Sequence, residues 1–370
     1  MKKLTVNSES RLVNLDLYNR FQDFRPHLYG TESFSPNINS FPNIAYTPLP
    51  YRKPFGFDPL ELKYKNPNNM SWQTLSNIES VLEGSSLIGI TDTYYFWNYQ
   101  AVQFAKKNKI PAYTVIWCNL PRHISSWLPP YSWITKQVIN NTSLFILRNN
   151  KAYEFTDSLK IPREKTIVIY PGINLERFTP ALNKDNSTVK ILYVGGLTKA
   201  KGIVTLLKAF SQVFQSIKKI ELHIAGSGQF EEMIRNASTE LPIKYYGRID
   251  YSQLPEIYRS ADIFCSPSET DTLASFPIWR EYFSYTLLEA QASGLPIITT
   301  KSGGITEEVD CQNGFVAEAD VNKLATELSK MINDSDERIR LGKLNRARAE
   351  KLFDNKIQAT LLESELLKLV

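Results

Sequence analysis

Residues 189–225 read VKILYVGGLTKAKGIVTLLKAFSQVFQSIKKIELHIA and carry the clearest fold signal in the chain. The pattern of apolar residues and glycines predicts a buried strand, a turn, an amphipathic helix and a second strand, in that order, at 189–194, 195–196, 203–216 and 220–225. A helix that joins two neighbouring strands places them parallel in one sheet. The stretch therefore predicts a βαβ unit of an α/β protein.

The alternation of strands and helices continues in both directions from this unit. Further apolar runs predict strands at 86–90, 111–117, 143–147, 165–169, 243–246, 263–266, 296–300 and 314–317. Helical patterns lie at 75–82, 100–109, 230–237, 254–260 and 286–293, and in three stretches that end at 370. Residues 21–69 hold eight prolines and are predicted to form loops and short strands, because proline interrupts helices. We therefore predict two doubly wound, Rossmann-like α/β domains.

The best domain boundary follows Pro171 and Gly172, where turn residues precede the polar stretch 182–188. This predicts a first domain, a second domain and a C-terminal helix, at residues 1–178, 179–350 and 351–370. Whether that helix crosses back to the first domain stays open. Two such domains are expected to face a central cleft, and ligands bind where the carboxyl ends of the strands meet it.

The net charge of +5 is unevenly distributed along the chain. Residues 1–180 hold 20 Lys and Arg against 13 Asp and Glu, whereas residues 181–370 hold 23 against 25. The basic first half predicts an anionic partner, either a phosphorylated substrate or a membrane face, with plain solvated surface as the alternative. Nucleic acid is disfavoured, because the basic residues come as isolated pairs rather than as a stripe.

Cysteine usage and hydropathy indicate the compartment. The three cysteines are scattered without a C-x-x-C pair, which argues against a disulfide framework and a structural zinc site. The first residues turn polar too early for a signal peptide, and no apolar run approaches the roughly 20 residues that span a bilayer. We expect a cytoplasmic protein, and peripheral contact with the inner membrane face stays open.

Two carboxylates, Glu281 and Glu289, lie eight positions apart, and a helix is predicted to begin between them. The spacing alone is weak support for a site, because two solvated carboxylates are the commoner arrangement. A loop carboxylate followed by another two helical turns later could contact a reacting sugar and a ribose diol. The flanking stretches ADIFCSPS at 261–268 and AQASGLPIITT at 290–300 provide the context.

With these flanks the sequence resembles the retaining glycosyltransferases of family 4. Five patterns of that family match. The domain-joining "NGVDxxxF" matches 171–178, and "AD-hydrophobic-PS" matches 261–268. The pattern "E, seven residues, E-A-x-A-x-G-x-P-hydrophobic" matches 281–297, "GG-x-x-E" matches 303–307 and "NG-hydrophobic" matches 313–316. The resemblance covers about residues 165–370. The first 160 residues share only the alternation of strands and helices.

This resemblance implies the GT-B fold and the transfer of a hexose from a nucleotide diphosphate sugar, with retention, to a glycan or lipid-linked acceptor. It implies that Glu281 and Lys201 are catalytic, with Glu281 positioning the donor sugar and phosphate. Glu289 would bind the ribose hydroxyls, and Leu288 is placed with the donor-binding residues. The resemblance requires no metal and no cofactor beyond the nucleotide sugar as co-substrate.

Residues 195–202 read GGLTKAKG and lie between a predicted strand and a predicted helix, where backbone N–H groups and a lysine can meet phosphate. The family's pattern here is G-R-L-x-x-x-K-G, and the resemblance places Lys201 at its lysine, which binds the diphosphate. Gly195 belongs to this loop, and Gly196 stands where the family's arginine is usual. Either Arg248 or Arg280 replaces that arginine, or the donor binds less tightly. A solvated lysine at the helix start is the alternative for Lys201.

A second glycine loop begins at Gly226, after the strand 220–225. A dinucleotide fingerprint fails there, because its third glycine would fall at Glu231, and this argues against a nicotinamide-dependent oxidoreductase. A tight turn is the expected role, with donor contact left open. Arg248, two positions after a predicted strand, could contact a base or a phosphate, with plain surface arginine as the alternative.

Two departures from the family pattern lie just before the predicted helix 286–293. Residues 269–280 form an insertion of roughly nine residues, predicted to be a loop over the donor site or a surface excursion. Tyr282 and Ser284 replace the two glycines of the usual "E-G-F-G". Because those glycines let backbone approach the donor sugar, a non-catalytic protein that binds a nucleotide sugar or a partner is the alternative function.

The first domain offers weaker candidates. Asn119, Arg122 and His123 follow the strand 111–117 and are candidate acceptor-side residues, although a lone loop histidine is more often structural. Residues 127–134 read WLPPYSWI beside Arg122 and Lys136, which resembles an interfacial anchor for a lipid-linked acceptor. A packed loop is the alternative for this stretch.

Overall fold

The structure, a computed structural model, describes residues 1–7, 12–31, 38, 41–52, 73–182, 187–273, 276–309, 315–317 and 319–370, with backbone alone at 12–14, 271–273, 276–278 and 315–317. The chain divides into two compact units. One comprises Met1–Gly172 with Asn355–Val370, and the other Ile173–Asp354.

The first unit is built on a seven-stranded parallel sheet with the order β3-β2-β1-β6-β7-β8-β9. Its strands are β1 to β9, at Lys2–Asn7, Phe24–Thr31, Ala45–Leu49, Tyr51–Arg52, Thr74–Leu75, Leu87–Thr91, Ala112–Ile116, Leu144–Leu147 and Thr166–Val168. Strands β4 and β5 form a separate antiparallel pair. The helices of this part are α1 to α5, at Leu12–Tyr18, Ile78–Leu82, Phe96–Lys107, Tyr131–Asn140 and Ala152–Ser158.

Strand β6 is buried at all five residues, which explains why its sequence is a continuous apolar run. Helices α2, α3 and α4 cover one face of it, and they contribute a shared hydrophobic core that includes Ile78, Val81, Trp97, Val102, Ile134 and Val138. Helices on a parallel sheet are the arrangement that the strand and helix alternation predicts.

The second unit is built on a six-stranded parallel sheet with the order β12-β11-β10-β13-β16-β17. Its strands are β10 to β17, at Val189–Val194, Ile220–Ala225, Ile243–Gly247, Ile263–Ser266, Asp271–Leu273, Phe276–Trp279, Ile297–Thr300 and Phe315–Ala317. The helices are α6 to α12, at Ile203–Ser216, Glu231–Ala237, Leu254–Ser260, Tyr285–Ala292, Ile305–Glu308, Val321–Asn333 and Ser335–Leu352.

Helix α6 packs its apolar face on the sheet and on helix α11, through side chains that include Ile203, Leu206, Phe210, Leu324 and Leu328. Because the strands are parallel, the loops after β10, β11, β12, β13 and β16 leave the sheet at one edge. That edge carries the predicted donor-side residues of the second unit.

The unit boundaries differ from the predicted ones at 178 and 350. Residues 173–178 belong to the second unit, because the Ile173 N–H donates to the Phe353 carbonyl at 2.7 Å and the Phe178 ring contacts the rings of Tyr251 and Tyr258. The return to the first unit comes at 354–355.

The last helix, α13 (Asn355–Leu367), belongs to the first unit, which resolves what the sequence left open. The Glu363 carboxylate accepts hydrogen bonds from the backbone N–H groups of Gln22, Asp23 and Phe24 at 2.8–3.1 Å. The Asn355 amide donates to Asp16 Oδ2 at 2.6 Å. These contacts fix the C-terminal helix against the start of the same unit.

The structure differs from the predicted local structure in two respects. The sequence analysis did not predict helices α4 and α5, and α4 directly follows Pro129 and Pro130, which indicate a loop. The insertion at 269–280 contains an antiparallel hairpin of β14 and β15 rather than only a loop. Asn313 and Gly314 of the predicted "NG-hydrophobic" segment lie outside the described residues, as does Cys311.

Candidate functional site

The loop after β10 is held against the loop after β13. Within it, the Tyr193 hydroxyl donates to the Gly196 carbonyl at 2.8 Å, and Lys199–Lys201 form a 3-10 turn. Gly202 has φ +69°, and a Cβ at this position would lie 1.8 Å from the Pro267 carbonyl oxygen. Only glycine allows both the left-handed backbone and this approach, so Gly202 presses the lysine-bearing turn onto the end of β13.

The loop after β11 packs equally closely on the other side. Gly226 has φ +146°, and a Cβ there would lie 1.8 Å from the Gly195 carbonyl oxygen. The Tyr245 hydroxyl donates to the Gly226 carbonyl at 3.0 Å, and the Gly226 N–H donates to the Gly247 carbonyl at 2.8 Å. Close packing therefore accounts for glycine at 226, and its contact with a donor stays a prediction.

Lys201 and Glu281, which are 80 positions apart in the chain, form an ion pair between Nζ and Oε2. The Lys201 side chain keeps 32% of its exposure, whereas that of Glu281 keeps 8%. The Ser268 hydroxyl donates to the same carboxylate oxygen at 3.3 Å, and the Glu281 N–H donates to Ser302 Oγ at 3.2 Å. A partly exposed lysine and a buried carboxylate are therefore paired at the carboxyl edge of the sheet.

The inserted hairpin contributes to this site. Trp279, its last strand residue, places its ring centroid 5.2 Å from Lys201 Nζ, within cation–π distance. Arg280 is half-buried between Trp279 and Glu281. The sequence suggested only that the insertion might lie near the donor. Sequence reasoning did not identify Trp279 itself, since no spacing rule connects an inserted tryptophan with a lysine 78 positions earlier.

Glu308 is a site residue that the motif comparison missed. The motif glutamate is Glu307, which is half-buried, but Glu308 is fully buried and accepts from the Ser284 N–H at 2.9 and 3.0 Å. Burial raises the pKa of Glu308 well above its usual range, and the nearby Glu281 carboxylate adds to the effect. Ser284 precedes helix α9, so Glu308 caps the helix that follows the Glu281 loop.

Glu289 lies inside helix α9 and is buried. The hydroxyl of Tyr258, itself fully buried, donates to Glu289 Oε2 at 2.7 Å. Burial raises the pKa of Glu289 to about 7, against the effect of this hydrogen bond. The carboxyl is therefore partly protonated near neutral pH. Its contact with a ribose stays a prediction.

This raised pKa predicts a pH dependence of folding stability. The folded state holds the proton more tightly, so the contribution is complete below about pH 4.5 and is lost as the pH rises through 7. The rise from 4.5 to about 7 corresponds to about 3 kcal/mol. We expect Glu289→Gln to match wild type at pH 4.5 and to exceed its free energy of unfolding by up to that amount at pH 8.

Denaturant unfolding at several pH values measures this difference. Glu240→Gln, at an exposed glutamate of the same unit, is the matched control and should run parallel to wild type. Parallel curves for Glu289→Gln and wild type would show that Glu289 ionises as an ordinary surface carboxyl.

The other predicted donor-side residues are spread along the same edge. Leu288 is buried in helix α9, and Gly195 and Gly196 lie in the loop after β10. Arg248 is exposed and directly follows β12. The structure therefore brings Lys201 and Glu281 into contact. Arg248 lies after β12 and Leu288 lies in helix α9.

The acceptor-side candidates lie in the first unit, after β7. Asn119 is fully buried and Arg122 is exposed. His123 Nδ1 accepts from the Ser125 N–H at 3.3 Å and lies 2.8 Å from its hydroxyl, while the imidazole lies 4.9 Å from the Tyr94 ring. His123 therefore has a structural role at the start of a 3-10 turn, and its contact with an acceptor stays a prediction.

Across the described ranges, His, Cys, Asp and Glu side chains form no group of three or more that could hold a metal ion. Among the helices described, none combines the length and apolar character needed to cross a bilayer. The positive charge next to Glu281 comes from Lys201.

Two doubly wound α/β units in one chain are the architecture of the GT-B fold. Solved structures show the same fold over the whole chain. HepE of Anabaena in complex with UDP matches with a TM-score of 0.75 and 17% identity, covering 100% of both chains. Sucrose-phosphate synthase from Thermosynechococcus elongatus matches with a TM-score of 0.74 and 17% identity, covering 100% of this chain and 99% of its own.

Residues 175–348 of the second unit match the family model described as Glycosyl transferases group 1. The chain is 33% identical over 193 residues, 48% of this chain and 50% of the relative, to a GDP-mannose-dependent monoacylated alpha-(1-6)-phosphatidylinositol monomannoside mannosyltransferase of Corynebacterium glutamicum. It is 23% identical over 288 residues, 72% of this chain and 54% of the relative, to sulfoquinovosyl transferase SQD2 of Arabidopsis thaliana. The matched stretches span about half the length of these curated relatives.

Proposed function

We propose that this protein transfers a hexosyl group from a nucleoside diphosphate sugar to a hydroxyl of a glycan or lipid-linked acceptor, with retention of anomeric configuration. The ion pair of Lys201 and Glu281 at a strand-to-helix loop carries the proposal. A buried carboxylate beside a partly exposed cation suits a ligand with both hydroxyl and phosphate groups, because each group finds a charge-assisted hydrogen bond.

The second unit supplies the donor site in this proposal. Lys201 and the backbone N–H groups of its loop bind the diphosphate, Glu281 binds the sugar hydroxyls, and Glu289 binds the ribose. In the free protein Lys201 and Glu281 form an ion pair with each other. When the donor binds, its phosphate replaces Glu281 as the partner of Lys201, and its sugar hydroxyls replace Lys201 as the partners of Glu281. A relative whose name states GDP-mannose dependence, and structural neighbours bound to UDP, support a nucleotide sugar as donor.

The transfer step breaks the bond between the sugar C1 and the leaving phosphate oxygen, and it forms a bond from C1 to the acceptor oxygen on the same face. The acceptor proton passes to the leaving phosphate oxygen, so the products are a glycosylated acceptor and a nucleoside diphosphate. Lys201 meets the charge that develops on the diphosphate. We propose that no metal ion takes part, since the lysine and the loop N–H groups supply the counter-charge.

The missing arginine at Gly196 calls for a second cation. Arg280 is the better candidate, because it adjoins Glu281 and its Cγ lies 3.1 Å from where a Cβ on Gly303 would be, within the same group of loops. Arg248 lies at the end of β12, beside the loop after β11. We assign the diphosphate to Lys201 and Arg280, and the base side to Arg248.

A panel of nucleotide sugars, with short glycan and lipid-phosphate acceptors, tests the proposal through release of nucleoside diphosphate. We expect release from one donor, and a loss of at least about a hundredfold in Glu281→Gln, which keeps the shape of the side chain but not its charge. Proton NMR of the product reports the anomeric configuration, and inversion would contradict the assigned stereochemistry. Donor binding without turnover over the whole panel would favour the non-catalytic alternative.

The same assay tests the role of metal ions. We expect the rate to be unchanged after treatment with EDTA, because protein groups carry the counter-charge at the diphosphate. Loss of turnover in EDTA, with recovery on addition of Mg²⁺ or Mn²⁺, would overturn this part of the proposal.

A further inference from the structure

A long stretch of the first unit lacks acidic residues. Between Asp92 and Glu154 the sequence contains no Asp or Glu, whereas it holds seven basic residues, Lys106, Lys107, Lys109, Arg122, Lys136, Arg148 and Lys151. All of these except Arg148 are exposed. The segment comprises α3, β7, α4 and β8, so these elements carry basic side chains and no carboxylate of their own, while Lys151 at the end of the segment pairs with Glu154 at 3.3 Å.

The same segment presents two tryptophans to solvent. Trp127 keeps 63% of its exposure and Trp133 keeps 47%. The Trp133 ring contacts the ring of Tyr99 on α3, with centroids 4.8 Å apart and planes tilted by 49°. Leu128, next to Trp127, packs on the buried pair Tyr94 and Tyr131. We call Tyr99, Trp127, Leu128 and Trp133 the aromatic face.

Cations flank the aromatic face. Lys136 is exposed one helical turn after Trp133 on α4, and Arg122 is exposed in the loop that leads to Trp127. Tryptophan at an exposed position beside lysine or arginine is the arrangement that membrane interfaces favour, because the indole enters the headgroup region while the cations meet lipid phosphates.

We propose that the aromatic face binds an anionic lipid bilayer. The exposed aromatic area and the positive charges of Arg122 and Lys136 beside it complement such a surface in both of its properties. The inference rests on the proposed function in one respect: a bilayer at this face would hold a lipid-linked acceptor beside the loop after β7. That loop carries Asn119 and His123, whose nearest ring contact, Tyr94, lies under the aromatic face.

Vesicle co-sedimentation tests the proposal with the full chain and without any donor. We expect at least about tenfold stronger partitioning into phosphatidylcholine vesicles containing about 30% phosphatidylglycerol than into pure phosphatidylcholine. The double variant Trp127→Ser, Trp133→Ser and the single variant Lys136→Glu should each lose about tenfold of that partitioning. Brominated lipids should quench tryptophan fluorescence in wild type but much less in the double variant.

Matched controls separate a specific face from general stickiness. Ile339→Ser replaces a side chain with 56% exposure on α12, in the second unit, and should leave partitioning unchanged. Thermal melting checks that each variant is folded, since exposed substitutions change stability little. Equal partitioning of wild type and the double variant overturns the proposal. Concentration-dependent dimerisation that the double variant abolishes also overturns it, because a second copy would then be the occupant.

The outcome is independent of the proposed function. Vesicle binding without turnover of any nucleotide sugar would remove the transferase proposal and leave the lipid-binding face. Turnover with soluble acceptors, but no binding to anionic vesicles, would support the transferase proposal and overturn the lipid proposal alone.

Discussion

Lys201→Ala is expected to lower kcat/KM for the donor by about 10³. The substitution removes the cation that meets the charge developing on the leaving diphosphate. It also removes the cation that faces the Glu281 carboxylate, which is 8% exposed, and the loss of this charge partner for a buried carboxylate weakens the Glu281 loop. Both effects act on donor binding and on the transfer step, so KM should rise and kcat should fall.

Lys199→Ala is the matched control for this experiment. Lys199 lies in the same 3-10 turn, carries the same charge and is exposed. We expect its variant to retain activity within about threefold, because an exposed charge contributes little through solvent. Equal losses in the two variants would show that the loop needs positive charge in general, and would contradict the specific role of Lys201.

Gly202→Ala is expected to lower the free energy of unfolding by about 3 kcal/mol or more and to abolish activity. The left-handed backbone at φ +69° costs about 1 kcal/mol for any residue with a Cβ. The larger part comes from the clash, since the added Cβ would lie 1.8 Å from the Pro267 carbonyl oxygen. Relief of the clash requires the lysine-bearing turn to separate from the end of β13.

Gly247→Ala isolates the backbone part of this effect. Gly247 has φ +68° in the same unit, and nothing lies within 4 Å of a Cβ built on it. Its variant should lose only about 1 kcal/mol. Denaturant unfolding of both variants measures the difference, and similar losses would show that the close approach at Pro267 is not a constraint on the fold.

The second unit was well predicted because its elements have simple local signals. Strands β10, β11 and β13 and helix α6 begin and end where apolar runs, glycines and prolines indicated. A buried parallel strand needs apolar side chains on both faces, and that requirement is visible in five or six consecutive residues. Helix α4 lacked such a signal, because Pro129 and Pro130 directly precede it and Trp133 interrupts its polar, exposed face.

The candidate site divides along a similar line. Lys201 and Glu281 were identified through motifs, and the parallel sheet brings them together because β10 and β13 are neighbours. Trp279, Tyr258 and Glu308 were not identified. Their roles depend on long-range packing, such as the hydrogen bond from Tyr258 to a glutamate 31 positions later, that no local pattern records.

The central claim is that the loop around Lys201 binds the diphosphate of a nucleotide. Titration calorimetry of wild type, Lys201→Ala and Lys199→Ala with UDP, GDP and ADP tests it most directly, because it requires neither the sugar nor the acceptor. We predict that wild type and Lys199→Ala bind at least one of these nucleotides with similar affinity, and that Lys201→Ala binds it at least about thirtyfold more weakly. Equal binding by all three proteins, or binding by none of them, would contradict the claim.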